Sequence, residues 1–573
     1  MANKRNGILV YALLLTAAFS FRVAVARLLP NDDPFDGKVY TQLARNVLEQ
    51  HSYSHATEPP YDPSLIRLPG YPLFIAGVYS VFGHGDDTSV RIVQALLDTA
   101  TCALIALIAF LWEPVEKLKR RSSIAALALA ALCPFTTIYV ATILTETGTT
   151  FLALAMCFTA TLAFKATRQG NALLLWGATG VLAGVAVLFR PDSGLFALAV
   201  GITLVVTTLL RSSDVKLSRK REEVLYRFSR ASYLGAVFSL AFCLVLVPWT
   251  VRNFRVFHIF QPLAPVHAEM PGEFVPRGYL SWLRTWIDDG RYIGPVLWSL
   301  DESPIKLDDI PDRAFDSAEE KQRVAALFEK YNHPPEVPEL ISGEPEPQET
   351  PTPSDDLLNP NPDSSAKSDE EEPAESDQGD EAHDSDEAGE VEKGDEAASS
   401  DDASADQAVD QPVEITPEID AGFAEIAKQR VARHPLRYYF LLPAKRAVSI
   451  WFNTHSQYYP FEGELLPFAN LDDQRHQQFW LPLFAVLTLV YTLLGVAGGW
   501  FLWERRGLEA RQWVLLAALM IFLRIGFFAT LENPEPRYVV EVFPFLSILG
   551  GIALTRFPVQ IRGGQIYLQN RER

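Results

Sequence analysis

Residues 31–74 read NDDPFDGKVYTQLARNVLEQHSYSHATEPPYDPSLIRLPGYPLF. This stretch decides how the rest of the chain is read, because it follows an apolar segment directly and so leaves a bilayer carrying Asp32, Asp33 and Asp36. A helix-compatible run follows from Val39 to Gln50, with Tyr40, Leu43, Val47 and Leu48 on one side. The chain returns through Arg67-Leu-Pro-Gly-Tyr71-Pro72 into the apolar run Leu73–Phe82, which is too short to span and fits a helix at the interface. An acid and an arginine thus stand at the membrane surface on opposite arms of one loop, equipment suited to a lipid-borne phosphate.

Outward from this loop, segments of about twenty mostly apolar residues mark candidate spans. They are Gly7–Leu28, Arg91–Trp112, Ile124–Ile143, Glu146–Phe164, Ala172–Phe189, Gly194–Leu210, Tyr233–Val251, Trp480–Trp503, Trp513–Leu531 and Val539–Leu554. Trp112, Trp249, Trp480, Trp503 and Trp513 lie near the ends, as an interfacial aromatic belt requires. The Lys/Arg-rich turns 113–123, 165–171, 211–230 and 504–511 and the C-terminus fall on one side together with Lys4 and Arg5, the side that is cytoplasmic by the positive-inside rule. The opening loop, the turns at Thr145, Arg190–Asp192 and Glu532–Arg537, and the long segment 252–479 then face outward. Ala24-Val-Ala26 also fits a signal-peptide cleavage pattern, but Arg22 and Arg27 beside it favour a retained anchor.

Charge is distributed very unevenly. The 573 residues carry a formal −20 although 48% are hydrophobic. Residues 341–410 hold 25 Asp/Glu against Lys367 and Lys393, and subtracting that local −23 leaves +3 for everything else. Such an acidic, Ser/Pro/Ala-rich tract cannot bury enough surface to offset chain entropy, so it is expected to be a disordered linker. The four cysteines all fall in apolar segments, with no CxxC pair, and read as small core residues. No GxGxxG, P-loop, HExxH or His-completed acidic cluster is present, and nothing points to nucleic acid.

The expected architecture is an all-α integral membrane protein. It has about ten transmembrane helices, interfacial helices in the first outer loop, and a large outer-loop domain containing the disordered acidic insert. Residues 1–340 hold the first membrane part, the candidate catalytic loop 29–90 and the start of the outer segment, 252–340. Residues 341–413 are the linker, 414–479 an outer and interfacial helical segment, and 480–573 the second membrane part. Within the third, Thr416, Pro417 and Glu418 announce a helix over Ile419–His434. The run His434–Phe452 reads as a basic-aromatic interfacial helix.

Four patterns together resemble the polytopic glycosyltransferases of the GT-C type, in particular the branch of protein O-mannosyltransferases and lipid A aminoarabinose transferases. They are Asp36-x3-Tyr40-x3-Ala44-Arg45; Arg67-x-Pro-Gly-Tyr-Pro with Phe82-Gly83 and Arg91-x2-Gln94; Pro248-Trp-Thr-Val-Arg252-Asn-Phe-Arg255; and Glu535-Pro-Arg537-Tyr538 leading to Pro544. The likeness is scattered over the hydrophobic body and excludes the insert and most of the outer domain. One departure is that many members have Asp-Glu where this chain has Asp36-Gly37, which leaves Asp32 and Asp33 as alternative acids.

The resemblance implies transfer of a hexosyl or pentosyl group from a polyprenyl-phosphate carrier to a protein, lipid or cell-envelope glycan, on the extracytoplasmic face of the cell membrane, with both termini cytoplasmic. Asp36 is then the base, and an in-line attack opposite the leaving phosphate inverts the sugar by analogy with glycoside hydrolysis. Carrier phosphate and sugar would be met by Tyr40, Arg67, Tyr71, Glu146, Arg252, Lys445, Arg446, Arg537 and Tyr538. Arginine's planar fork suits a phosphate bidentately, whereas lysine acts as a point charge. No cofactor is implied with certainty, and a divalent metal is left open.

Each residue has a plainer role available: Asp36 as a helix cap, Arg67 as an interfacial anchor, Arg252, Lys445 and Arg446 as partners of lipid headgroups, and Arg190 with Asp192 as a pair across Pro191. The rival class is a transporter or flippase of a lipid-linked or anionic substrate. It would want ionisable residues in mid-span, and only Asp98, Arg524 and Glu541 stand there.

Overall fold

A computed structural model describes residues 2–29, 35–211, 220–288, 290–334, 413–453, 458–459, 475–505, 507–556, 559–562 and 565–568. Asp32, Asp33, Asp289 and nearly all of the acidic insert lie outside the described residues.

The first half opens with α1 (Ala2–Leu28), and the first loop then carries α2 (Phe35–Glu49) and the short α3 (Gly70–Phe82). Next come α4 (Asp87–Trp112), α5 (Glu116–Ala131) and the single turn α6 (Pro134–Thr137). The half closes with α7 (Glu146–Lys165), α8 (Gln169–Phe189), α9 (Gly194–Leu210) and α10 (Lys220–Phe257). Three helices, α11 (Arg277–Leu283), α12 (Ala318–Asn332) and α13 (Pro417–Arg433), build a second core, and α14 (Leu442–Phe452) follows it. The last spans are α15 (Arg475–Glu504), α16 (Leu508–Phe528) and α17 (Phe543–Leu554). A small hairpin, Val559–Arg562 with Gln565–Leu568, is appended to this helical protein. Among the described residues nine helices are long and apolar enough to cross a membrane, and ten if the bent pair 116–131 and 134–140 counts as one. The expected multi-pass, all-α architecture is the one observed.

The bend has a specific cause. Pro134 brings no N–H and disfavours helix in the residue before it, so α5 stops and its last carbonyls lose their regular helical partners. In hydrocarbon those carbonyls need replacements. Arg22 supplies them: its guanidinium donates to Ala130 O and Ala131 O, each at 3.2 Å, while its Nε reaches Asp98 at 2.5 Å. Two intramembrane charges thereby neutralise each other and tie α1, α4 and α5 together.

Close helix approach depends on missing side chains, as expected where apolar lipid removes the hydrophobic incentive to pack. A Cβ on Gly180 would lie 2.3 Å from Phe238 O of α10, and one on Gly498 only 1.9 Å from Leu549 O of α17. Cys102, Cys133 and Cys157 are buried fillers, while Cys243 is exposed on α10.

The two ends of the bundle differ. Lys165, ending α7, pairs with Glu509, and Glu113 pairs with Arg556 at 2.6 Å, so several basic turns gather at one end. Glu146 begins the 20-residue α7, about 30 Å from Lys165, at the opposite end. The helix expected after Thr416 is present, with the Thr416 hydroxyl accepting from Ile419 N at 3.4 Å. The core of α11–α13 is aromatic: Tyr279, Trp282, Trp286, Phe328 and Phe423 are buried together. It is tied to the membrane part by Arg284 with Glu532 at 2.5 Å and by Arg446, whose Nε donates to Ile287 O at 2.7 Å.

Candidate active site

The first loop is folded by its own polar side chains. Asn46 donates to Ser54 O and Ala56 O, both at 2.8 Å, and the Tyr53 hydroxyl donates to Arg67 O at 3.1 Å. This brings the return arm over the start of α2, so that Arg67 Nη2 meets Asp36 Oδ1 at 2.7 Å. From the far end of the sequence, Arg537 Nη1 approaches Asp36 Oδ2 at 3.5 Å, and its Nε pairs with Glu535. Asp36 lies in the first turn of α2, with its carboxylate committed to these two arginines.

Around the trio lies a cavity of about 240 Å³. Its polar wall is made by Asp36, Tyr40, Arg67, Glu146, Arg190, Arg537 and Tyr538, and its rim by the loop 264–268. Of the residues singled out in the sequence, six therefore line one space: Asp36, Tyr40, Arg67, Glu146, Arg537 and Tyr538. Glu146 Oε1 binds Arg190 Nη1 at 2.9 Å, while its buried Oε2 has no hydrogen-bond partner.

Electrostatics follow from this crowding. Burial pushes the Asp36 carboxyl up, but the guanidiniums of Arg67 and Arg537 outweigh it and hold the group below the ordinary carboxylate range. Burial works against the charge on Arg67, and the Asp36 carboxylate more than compensates, so its pKa is raised. The Tyr40 phenol is pushed up to about 12, first by burial and then by the charge on Asp36, and remains a neutral donor.

The other four residues stand elsewhere. Tyr71 is fully buried behind Tyr40, its ring 5.1 Å away edge-on and its hydroxyl donating to Gln94 at 2.7 Å; it supports Tyr40 and does not face the cavity. Arg252 donates to Ser64 O at 2.7 Å and packs over Tyr53, Trp249 and Phe257, where it holds the loop's backbone. Lys445 pairs with Asp288 at 3.2 Å. Arg446 donates to Ile287 O and Arg284 O, and burial brings its pKa down to about 10. Both serve the seam between α14 and the outer core. In the sequence these basic residues look like Arg67, because only the fold decides which acceptors lie nearby.

Arg190 is the residue that sequence reading undervalued. Its pairing with Asp192 is present, at 3.1 Å, yet the side chain also lines the cavity. An Arg-Pro step closing a span on the same side as Asp36 was the available signal. The loop 264–268, with His267, had no signal at all. Among the described residues, no group of three or more His, Cys, Asp or Glu side chains is placed to hold a metal ion.

The family described as Dolichyl-phosphate-mannose-protein mannosyltransferase matches residues 62–249, a third of the chain that includes Arg67, Glu146 and Arg190. This match supports a membrane glycosyltransferase of the GT-C type. The resemblance read from the motifs is borne out to that extent. No curated protein matches the sequence. Two crystal structures of ArnT from Cupriavidus metallidurans, one bound to undecaprenyl phosphate and one apo, are similar at 14% identity with a TM-score of 0.32. They cover 96% and 97% of this chain and 77% and 78% of theirs, a likeness too slight to add weight to the family match.

Proposed function

We propose that this glycosyltransferase takes a sugar from a polyprenyl-phosphate carrier and passes it to an acceptor hydroxyl on the extracytoplasmic face, with inversion. The observation that carries the reading is the carboxylate of Asp36 held between Arg67 and Arg537, from sequence-distant arms, on the wall of one cavity. The donor class is the one named for the matching family. Sidedness rests on the basic turns gathering at the bundle end opposite to Glu146.

The chemistry uses the chain's own groups. Asp36 accepts the proton from the acceptor O–H as its oxygen attacks the anomeric carbon. The bond from that carbon to the phosphate oxygen breaks, and its electron pair leaves with the lipid phosphate. A carrier phosphodiester has one negative charge, and the departing monoester gains more, so cations fixed in place favour the later stage of the reaction. Before the donor arrives, Asp36 occupies Arg67 and Arg537 as an anionic stand-in. When the phosphate engages them, the carboxylate loses its stabilising partners and becomes the stronger base. Tyr40 and Tyr538 offer hydroxyls and ring faces to the sugar.

Purified protein incubated with labelled polyprenyl-phosphate sugars and crude envelope acceptors, with and without chelator, tests the reading. It predicts label in the acceptor from at least one lipid-linked sugar and none from the corresponding nucleotide sugar. Transfer from the nucleotide sugar alone would overturn the donor class.

A further inference from the structure

Behind the cavity wall is a closed ring of charges. Arg190 ends α8 in an extended conformation, φ −156° and ψ 123°, because Pro191 disfavours helix at the preceding residue. Its guanidinium meets Asp192 Oδ1 at 3.1 Å and Glu541 Oε1 at 3.5 Å. Arg524 Nη2 takes the other oxygen of each acid, Asp192 Oδ2 and Glu541 Oε2, both at 2.8 Å. Two carboxylates are thus shared between two arginines, one oxygen apiece. The Thr149 hydroxyl donates to Glu541 at 3.2 Å, and Arg524 Nε donates to Tyr538 O at 2.5 Å, which fixes the floor on which Arg190 lies, 5.0 Å from the Tyr538 ring. Arg524 is 1% exposed and Glu541 0%, whereas Arg190 retains 12% and faces the cavity.

We propose that Arg190 is a third cation for the carrier phosphate, and that Asp192, Glu541 and Arg524 are positioning residues that fix its fork without meeting substrate. This rests on the donor reading given above. Three observations support it. Nη2 takes part in none of the ion pairs of Arg190 named here, so one arm of a fork suited to phosphate remains. Arg190 shares the cavity wall with Arg67 and Arg537, so three guanidiniums converge on one space. An acid-bound arginine exposed only toward a cavity is also restrained before any ligand arrives, which lowers the ordering cost of binding. The leaving monoester carries about −1.5 to −2 at neutral pH, so a third arginine favours it more than the singly charged donor.

The test compares affinities of the full-length protein for polyprenyl monophosphate and for the neutral polyprenol. Arg190→Gln is expected to weaken monophosphate binding roughly ten- to a hundredfold while leaving the polyprenol unchanged. Arg524→Lys, which keeps the charge but not the shared geometry, should reduce the phosphate preference severalfold, and should add little in an Arg190→Gln background because the two act through one group. If Arg190→Gln also loses polyprenol binding it has unfolded, and Arg190→Lys then decides: a phosphate preference reduced severalfold supports the proposal and an undiminished one overturns it. A preference undiminished by Arg190→Gln, or an Arg524→Lys loss undiminished in that background, overturns the assignment while leaving the donor reading intact. A wild-type protein with no preference for the phosphate overturns both.

Discussion

Two arginine–carboxylate networks of similar composition occur in this molecule, and they behave oppositely. In the outer core Arg430 pairs with Glu320 and donates to Thr285 Oγ1 at 2.9 Å and Arg313 O at 3.2 Å, so all three of its nitrogens are engaged. Arg433 reaches Glu320 at 2.7 Å and Arg437 reaches Asp316 at 3.3 Å. That network closes on protein atoms and fastens α12, α13 and the chain after them. Around Asp36 the same residue types open onto a cavity of about 240 Å³. Charge count does not separate the two. What separates them is the cavity that one of them faces.

The contrast predicts different failures. The largest effect belongs to Asp36→Asn: sugar transfer should fall by ~10²–10⁴ with expression and thermal stability nearly unchanged. Arg430→Ala should act the other way. Removing one partner of a buried pair costs about 3–5 kcal/mol, read as a lower melting temperature, while the folded fraction keeps its donor affinity. Should Arg430→Ala weaken donor binding as much as it weakens the fold, the distinction between the networks is lost. Arg67→Gln is expected to lower donor affinity roughly ten- to a hundredfold, consistent with about 1.5–3 kcal/mol for a hydrogen bond to a charged group, with little change in melting.

A smaller effect concerns pH. The Asp36 carboxyl lies below its ordinary range in the unoccupied protein, so it stays ionised down to lower pH than a free carboxylate. The ion pair is therefore fully present above the unfolded pKa of about 3.9 and is lost as pH falls through the lower folded value. The acid limb of kcat/KM, which reports the free enzyme, should lie below about pH 4, and the limb of kcat, measured with phosphate occupying the arginines, should lie higher. Coincident limbs would contradict the exchange of partners. The smallest effect is at Lys445, whose side chain is half exposed beside Asp288. Lys445→Ala should change stability by no more than ~0.5 kcal/mol and transfer not at all.

The sequence made the membrane body legible because apolar length and basic turns are local signals, and even the span at 124–143 was located, though not its bend. Pro134 announced the break, but Arg22 lies more than a hundred residues away from the carbonyls it satisfies, a distance that no periodicity carries. Arg537 was recoverable because its short turn has no structural need for charge, while Asp36 and Arg67 were recoverable only from motif resemblance, since a charged residue at a membrane surface has plainer local roles. Lys445 and Arg446 were misjudged for the same reason: a basic interfacial helix looks the same whether it meets phosphate or the carbonyls of Arg284 and Ile287. Arg190 was visible as half of a local pair, and its partners Glu541 and Arg524 come from the last two spans, more than three hundred residues on.

The most direct test measures transfer and carrier binding side by side in Asp36→Asn. Loss of transfer by two orders of magnitude or more, with polyprenyl monophosphate bound at least as tightly because Arg67 and Arg537 are released, is the outcome this account predicts. Transfer at the wild-type rate, or a carrier affinity that collapses along with transfer, would contradict it.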